Sequence, residues 1–472
     1  MGYAFAAHLL SLVSFVMALV LVARAAEQRR PTGSLVAWLF AIMLVPYVGV
    51  PLYLVFGGRK QRSRAASKRK LRQRPAPAGR DAGRLGTMLC ASGASAPTRG
   101  NDIEVLTTGE TAFISIIELI TNARRSIDVS TLIFADDEAG AAIATALERR
   151  SRSGVSVRVL IDGLFKFRSS RRLLSELRTA GVQIAWFMPI WSFWRRNANL
   201  RLHRKAVIVD GERAIVGGMN LAREYLGPTP LASRWRDLSL RLFGPAVQEI
   251  ENIFTSDWQF ATGKTQPELD AAEGGLVVEP AVAAEPVQEA ASSPRTDSVQ
   301  VVGSGPDVES DRIYDALLSG TFDARSRLWV STPYFVPDEA LLRALVLAVR
   351  RGVDVRVLVP RRSNHLTADL AGASYLRALA REGGQVHCYV PRMLHAKVVL
   401  IDDDLTILGS ANMDMRSLFL DYELALVLVS TERARELGEW FRASFADSVG
   451  LARAGRSRAL IESLARLLAP LE

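Results

Sequence analysis

The chain has 472 residues, of which 49% are hydrophobic and only two are cysteine. This length allows two or three domains with sizeable cores, and two cysteines exclude a disulfide framework or a cysteine-rich metal site. The net charge of +10 is concentrated at one end, because residues 1–80 carry 13 Lys and Arg against one acid and the remaining residues sum to −2. The body of the chain therefore lacks the basic surface expected of a nucleic-acid enzyme.

Two apolar segments open the chain, Tyr3 to Ala23 and Leu35 to Phe56, and each is long enough to cross a bilayer. The loop between them holds three Lys or Arg, whereas Arg59 to Arg74 holds nine. The positive-inside rule then predicts that residues 1–58 form a transmembrane hairpin whose amino terminus and following body face the cytoplasm. The alternative, a signal peptide cleaved near Ala25, is disfavoured because no Lys or Arg precedes the apolar run.

Two low-complexity segments separate the remaining parts. Residues 59–101 are predicted to be a basic juxtamembrane linker, ending in a flexible spacer rich in Pro, Ala, Gly and Ser from Arg74 to Asn101. Its positive charges also attract anionic lipid, by about 1 kcal/mol for each charge near the surface. Residues 265–298 are rich in Ala, Glu and Pro, which predicts a disordered linker, with a regulatory docking segment as the alternative.

Residues 102–264 and 299–472 repeat one pattern of alternating strands and helices. Val-x-Val-Arg-Val-Leu at 155–160, for example, returns at 353–358. Alternation of this kind predicts two α/β repeats, packed as a pseudo-twofold pair.

Each repeat also carries a histidine, a lysine 2 residues later, an aspartate 7 later and an asparagine 17 later. These residues are His203, Lys205, Asp210 and Asn220 in the first repeat and His395, Lys397, Asp402 and Asn412 in the second. Apolar β-branched runs follow each lysine, so each histidine and its lysine are expected on one face of a strand. Gly-rich turns precede the asparagines and bring them back towards the same volume.

This set of groups suits a phosphodiester. The lysines and asparagines can hold the non-bridging oxygens and the charge that builds on phosphorus. One neutral imidazole can attack phosphorus while the other, protonated, supplies the leaving alkoxide with a proton. Asp210 and Asp402 are placed in this catalytic set as turn and support residues rather than as proton carriers.

Two further acids, Asp237 and Glu423, precede apolar strands downstream of the motifs. They are predicted to orient the histidines, as the acid of a catalytic triad does, and the alternative is a solvated acid at the end of a strand.

The two H-x-K-x4-D motifs, with Gly409-Ser-Ala-Asn412-Met-Asp-Met-Arg416-Ser and Thr332-Pro-Tyr-Phe335, resemble the phospholipase D superfamily and most closely its bacterial cardiolipin synthases. The resemblance covers nearly the whole chain, and Asp421 departs from it, since the family more often has Asn there. It implies a phosphatidyltransferase of the bacterial inner membrane that makes cardiolipin and glycerol from two phosphatidylglycerol molecules. It also implies a phosphatidyl-histidine intermediate on His203, with His395 as the acid.

No cofactor or metal is expected, because the histidines and lysines already supply the nucleophile, the acid and the positive charge. The resemblance implies membrane phospholipids as partners, and the charge of −2 on the body argues against nucleic acid. No oligomeric state is indicated. The alternatives are a phosphodiesterase that hydrolyses phospholipid or nucleic acid, and a membrane scaffold with an inactive site. Trp191, Phe193 and Trp194 are expected either at a lipid-facing rim or in a hydrophobic flap. A leucine-rich stripe from Leu460 to Leu471 predicts a helix docked on the core.

Overall fold

A computed structural model describes the protein over residues 83–167, 169–188, 200–264 and 297–468, with isolated residues 15, 16, 20, 40, 42, 68 and 71. Most of the predicted transmembrane hairpin, the aromatic cluster at 191–194 and residues 265–296 of the predicted linker lie outside these ranges. Within them, no helix combines the length and the apolar character needed to cross a membrane.

The described residues form one sheet of 15 strands, with helices on both faces, and a separate two-stranded sheet made of Phe335–Val336 and Met413–Asp414. The strands are β1 (Thr98–Leu106), β2 (Ser126–Thr131), β3 (Ser156–Asp162), β4 (Gln183–Phe187), β5 (Ala206–Val209), β6 (Arg213–Gly217), β7 (Ser239–Phe243), β8 (Asp297–Ser304), β9 (Arg327–Ser331), β10 (Phe335–Val336), β11 (Asp354–Pro360), β12 (Gln385–Tyr389), β13 (Val398–Ile401), β14 (Leu405–Gly409), β15 (Met413–Asp414), β16 (Glu423–Val429) and β17 (Ser448–Gly450).

The order of these strands confirms two α/β repeats. The first half reads β1-β7-β6-β5-β2-β3-β4, and the second reads β8-β16-β14-β13-β9-β11-β12 with β17 added at its edge. The halves join through β1 and β8, which pair antiparallel with Thr98 opposite Val299 and Asn101 opposite Asp297. The repeated sequence pattern therefore becomes a repeated topology within a single 15-stranded sheet.

The helices cover both faces of this sheet. They are α1 (Gly83–Ala91), α2 (Gly109–Thr121), α3 (Glu138–Arg152), α4 (Arg171–Thr179), α5 (Ala246–Thr262), α6 (Arg312–Asp323), α7 (Glu339–Arg350), α8 (Leu366–Arg381), α9 (Met415–Phe419), α10 (Thr431–Ala446) and α11 (Arg456–Leu468). One apolar core lies under α2, α3 and α4, and a second lies under α1, α6, α7 and α8. A third core, beneath α5 and α10, contains residues of both halves and runs across their junction.

The spacer predicted up to Asn101 is wrong from Gly83 onward. Leu85 and Leu89, four residues apart on α1, are buried in the core of the second half, and Gln300 of β8 donates to the carbonyl of Ser95 at 2.8 Å. A Pro- and Gly-rich composition concealed this short helix, because two leucines at helical spacing are enough to dock it.

The carboxyl-terminal helix forms, but the prediction that its leucine-rich stripe packs on the core is wrong for part of that stripe. Leu460, Ile461 and Leu464 are more than half exposed. The helix attaches to α8 through Glu462, which is fully buried and accepts hydrogen bonds from Arg377 at 2.7 Å and Arg458 at 3.0 Å. A buried carboxylate needs such partners, and they turn these three apolar residues outward.

Candidate active site

Both motif histidines lie in extended segments just before strands β5 and β13, and each segment is bonded to the opposite half. The backbone N–H of His203 donates to the carbonyl of Tyr422 at 2.9 Å, and that of His395 donates to the carbonyl of Arg236 at 2.8 Å. Two isolated parallel bridges accompany these bonds, one between Leu202 and Tyr422 and one between Leu394 and Arg236. The site therefore lies between the halves, and its two histidines are held by reciprocal exchange of backbone hydrogen bonds.

The two candidate orienting acids contact the histidines, and they do so across the junction. Glu423 Oε1 of the second half lies 2.9 Å from Nδ1 of His203, and Asp237 Oδ2 of the first half lies 2.7 Å from Nδ1 of His395. Contact at Nδ1 leaves Nε2 as the nitrogen that can act on a substrate. Each histidine thus depends on a carboxylate from the other half.

Both acids are fully buried, yet both are carboxylates at neutral pH. Burial alone would raise the pKa of Asp237, but Lys397 and His395 outweigh it and the net pKa is lowered. The pKa of Glu423 is lowered in the same way, with burial opposed by His203 and Lys205. A carboxylate accepts the Nδ1–H of each ring and so selects the tautomer whose Nε2 carries a lone pair.

The two lysines stand beside their histidines, as expected for residues two apart on a strand. Nζ of Lys205 donates to the carbonyl of His203 at 2.7 Å. Nζ of Lys397 donates to the carbonyl of His395 and lies 2.8 Å from Nδ1 and 3.1 Å from Nε2 of that ring. Burial lowers the pKa of Lys205 to about 8 and that of Lys397 to about 7.

The imidazoles are also shifted towards the neutral form. Burial lowers the pKa of His203, against the opposing effect of Glu423. Burial, followed by the charge of Lys397, lowers the pKa of His395 to about 3.

Asn220 and Asn412 are buried and line the same cavity as the histidines. Nδ2 of Asn412 donates to Oγ of Ser417 at 3.1 Å. Both asparagines thus reach the volume that the spacing of the motif predicted for them.

Asp210 and Asp402 lie elsewhere, at the far ends of β5 and β13, and neither lines this cavity. Both adopt positive φ, +56° and +50°, and both accept hydrogen bonds from consecutive backbone N–H groups. The donors are Arg124, Arg125 and Ser126 for Asp210, and Arg325, Ser326 and Arg327 for Asp402. These contacts agree with the turn and support role predicted for both residues, which short acidic side chains perform well in a left-handed conformation. They also place both residues outside the cavity that the histidines line.

Both histidines line one cavity, which has a volume of about 840 Å³ and is formed by residues of both halves. Its lining includes the apolar and aromatic residues Leu132, Leu164, Tyr225, Trp235, Tyr334 and Val336. It also includes a charged cluster, here called the charged wall, in which Asp421 accepts hydrogen bonds from the backbone of Arg201 and the side chain of Arg416. Sequence reasoning missed the aromatic pair Tyr225 and Trp235 and assigned no role to the arginines. The position of Arg201, two residues before His203, was the available signal.

Comparison with known proteins places this site in a family context. Residues 116–258 and 322–445 match a family model described as cardiolipin synthase, phospholipase D-like domain. Residues 13–58 match a second model, described as phospholipase D-nuclease N-terminal.

Two curated relatives align over nearly the whole chain. Cardiolipin synthase 1 of Bacillus anthracis is 32% identical over 94% of this chain and 90% of its own length. Cardiolipin synthase A of Pseudomonas aeruginosa is 35% identical over 89% of this chain and 86% of its own. The crystal structure of phosphatidylserine synthase from Haemophilus influenzae shares the fold, with a TM-score of 0.57 at 19% identity, covering 78% of this chain and 94% of that one.

Proposed function

Since the chain belongs to the cardiolipin synthase family and is an enzyme of the phospholipase D superfamily, we propose that it transfers a phosphatidyl group between two phosphatidylglycerol molecules, making cardiolipin and glycerol. The observation that carries the proposal is the pair of histidines that face one cavity, each with Nδ1 on a buried carboxylate. Such a pair supplies one nucleophile and one acid–base group for a double displacement.

In the first step Nε2 of His203 attacks phosphorus of the donor lipid. A P–N bond forms, the P–O bond to glycerol breaks, and His395 gives its proton to the departing alkoxide. The product is a phosphatidyl-histidine and free glycerol. The assignment of His203 as nucleophile follows the family resemblance.

In the second step the primary hydroxyl of another phosphatidylglycerol gives its proton to His395 and attacks phosphorus. The P–N bond breaks, His203 regains its lone pair, and cardiolipin leaves. Both histidines are then in their starting states, so the cycle is balanced without any other reactant.

The surrounding charges fit these roles. Lys205 and Lys397 lie beside the two histidines, and Asn220 and Asn412 line the cavity that the histidines share. We assign these four donors to the non-bridging oxygens of the transferred phosphate. In the free enzyme His395 is neutral, because burial and the charge of Lys397 lower its pKa to about 3. Its role as the acid therefore requires that the bound phosphodiester anion raise this pKa, as a nearby negative charge does by favouring the charged imidazole.

The amino-terminal segment fits a membrane substrate. Residues 13–58, which match the N-terminal family model, include most of the two apolar segments, and the proposal retains the hairpin with the catalytic body in the cytoplasm. Trp191, Phe193 and Trp194 are proposed as part of a lipid-facing rim that limits access of water to the intermediate.

The test is incubation of the full-length protein, in vesicles, with phosphatidylglycerol labelled separately in its acyl chains and its terminal glycerol. Cardiolipin and free glycerol should form in equal amounts, and a His203→Asn variant prepared in parallel should form neither. Phosphatidic acid as the sole lipid product would instead identify a hydrolase. A second incubation, with single-stranded DNA in place of the vesicles, tests the alternative. Cleavage of the DNA by a protein that does not turn over lipid would identify a nuclease.

A further inference from the structure

The charged wall of the active-site cavity has no part in the two-histidine chemistry. Arg201 and Arg416 lie on this wall, each beside a buried aspartate. Nε of Arg416 donates to Asp421 at 3.2 Å, and Nη1 of Arg201 lies 3.9 Å from Asp162. The side chain of Arg201 is 8% exposed and that of Arg416 is 30% exposed. Both arginines line one cavity and both contact Asp421, Arg201 through its backbone N–H and Arg416 through its side chain.

Stability does not explain this cluster. Buried ion pairs often contribute little to stability, because desolvation of the charges offsets their attraction. The like charge of Arg416 also acts on Arg201, whose pKa is lowered first by burial and also by this repulsion, against the opposing effect of Asp162. An anion bound between the two guanidinium groups would relieve that repulsion.

The position of Arg201 relative to His203 defines where such an anion would lie. The two residues are separated by Leu202, which forms a bridge to Tyr422 and is therefore extended. Residues two apart on an extended segment project to the same side, roughly 6.6 Å apart. In phosphatidylglycerol the free primary hydroxyl is joined to phosphorus by five bonds of about 1.5 Å, which extend to roughly 6 Å. The 6.6 Å joins backbone positions, and the length of the lipid headgroup is of the same order. One acceptor molecule can therefore reach from the arginines to the histidines on the same side of this segment.

We propose that Arg201 and Arg416 form a second phosphate subsite, which binds the phosphodiester of the acceptor lipid while the histidines and lysines hold the one being transferred. Guanidinium groups suit this task, because their planar donors match two phosphate oxygens at once. Held there, the acceptor presents its primary hydroxyl to the histidines. The inference rests on the proposed function and names what selects the second substrate.

The neighbouring acids offset the positive charge of the two arginines. Asp421 accepts the backbone N–H of Arg201 at 3.2 Å, and Asp162 accepts that of Leu202 at 2.8 Å. Burial raises the pKa of Asp162 to about 6 and that of Asp421 to about 7, although the nearby arginines oppose the shift. Either acid can therefore take up a proton when a phosphate arrives, which leaves the arginine pair with net positive charge.

The test compares two acceptors that differ by one phosphate. Vesicles of phosphatidylglycerol report cardiolipin formation, and labelled free glycerol in the same reaction reports exchange into phosphatidylglycerol, which needs the histidines but no second phosphate. Arg416→Gln should lower the ratio of cardiolipin formation to glycerol exchange by about tenfold or more, the loss expected for hydrogen bonds to a charged group. Arg416→Lys, which keeps the charge but loses the planar fork, should give an intermediate ratio. Arg361→Gln, an exposed arginine outside this cavity, should leave the ratio unchanged.

An unchanged ratio in Arg416→Gln would overturn the subsite. If both reactions fell in parallel, the arginine would serve the donor phosphate or the fold, and if neither fell, it would serve no substrate. If the wild-type protein exchanges glycerol but forms no cardiolipin, the proposed function itself fails and the acceptor subsite fails with it. The two failures are therefore distinguishable from the wild-type reaction alone.

Discussion

His203 and His395 occupy matching positions in the two halves, yet different groups pack around their rings. The rings of Tyr225 and Trp235 lie against His395, with centroids 5.1 and 5.2 Å from its own. Among the described residues, His203 has no comparable aromatic neighbours, and the carbonyl of Ser410 lies 3.1 Å from its Nδ1. We therefore call the surroundings of His395 the apolar half-site, because aromatic rings pack there, and those of His203 the polar half-site.

The residue between histidine and lysine differs in the same way. In the first half it is Arg204, which is buried and bonded to Asp257 at 2.6 and 2.7 Å and to the carbonyl of Glu423 at 3.1 Å. In the second half it is Ala396, which is fully buried in the apolar core. The first histidine strand is positioned by charge, and the second by packing.

The Gly-rich turns differ to match the acids that they face. A Cβ at Gly218 would lie 2.4 Å from Oδ1 of Asp237, so that turn requires glycine. The matching residue, Ser410, instead donates its hydroxyl to Oε2 of Glu423. The serine supplies a hydrogen bond to the acid of the polar half-site, and the apolar half-site has no room for it.

The largest expected effect separates the roles of the two histidines. With phosphatidylglycerol as donor, His203→Ala should abolish transfer, and His395→Ala should lower it by about 10²–10⁴, the usual value of general acid–base catalysis. A donor lipid carrying p-nitrophenol needs no proton on its leaving group. Release of p-nitrophenol should therefore survive in His395→Ala but not in His203→Ala, as measured by absorbance in a stopped-flow instrument.

That experiment also traps the intermediate, because His395→Ala lacks the base needed to activate the acceptor. Mass spectrometry of the quenched protein should locate the phosphatidyl group on His203. An adduct on His395 of the wild-type protein, or survival of p-nitrophenol release in His203→Ala alone, would reverse the roles.

The next effect concerns the crossed carboxylates. Glu423→Gln and Asp237→Asn keep the size of each side chain but permit the wrong tautomer of its histidine, so each should lower kcat on the order of 10²-fold with little change in KM. We expect the loss to be smaller for Glu423→Gln, because the Ser410 carbonyl still accepts from Nδ1 of His203. Steady-state kinetics of both variants checks this order, and a larger loss in Glu423→Gln would contradict the proposed contribution of Ser410.

The ionisation of the two lysines predicts how the activity depends on pH. Lys397 has a pKa of about 7 and Lys205 one of about 8, both lowered by burial. Each lysine carries its positive charge below its pKa and loses that charge as the pH rises through it. The value of kcat/KM for the anionic donor should therefore fall above about pH 7 to 8, approaching tenfold per pH unit.

The matched variants for this pH profile are Lys397→Arg and Lys205→Arg. A guanidinium stays charged throughout this range, so the alkaline limb should move to higher pH in the variant of whichever lysine controls it. An alkaline limb that stays in place in both variants would show that another group causes it.

Much of the site was predictable from sequence, because the evidence for it is local. A histidine and a lysine two residues apart share a face of any strand, and β-branched residues such as Val207 and Val399 identified the strands. The repeated order of elements likewise indicated two α/β repeats. These inferences need only near neighbours along the chain.

The remaining features depend on contacts between distant residues, which spacing does not reveal. Glu423 lies 220 residues from His203 and Asp237 lies 158 from His395, so the crossing of the acids became visible only when the halves were brought together. The two leucines of α1 were concealed by a Pro- and Gly-rich background. Lys68, within a run interpreted as a topology signal, is buried with its side chain 1% exposed.

Lys68 gives the smallest expected effect on catalysis and the clearest test of how the polar half-site is held. Its Nζ is hydrogen-bonded to Asp257, which also holds Arg204, and lies 2.8 Å from Asp307. Lys68→Met would leave two buried acids with only one cation, which typically costs about 3–5 kcal/mol of folding free energy. Below the unfolding transition, activity should change only a few-fold, because Arg204 keeps its own bonds to Asp257.

The control variant is Arg172→Met, which removes the exposed pair with Glu176 and should cost less than about 1 kcal/mol. Urea unfolding of both variants, followed by tryptophan fluorescence, makes the comparison, and equal midpoints for the two would show that charge does not anchor the strand of His203.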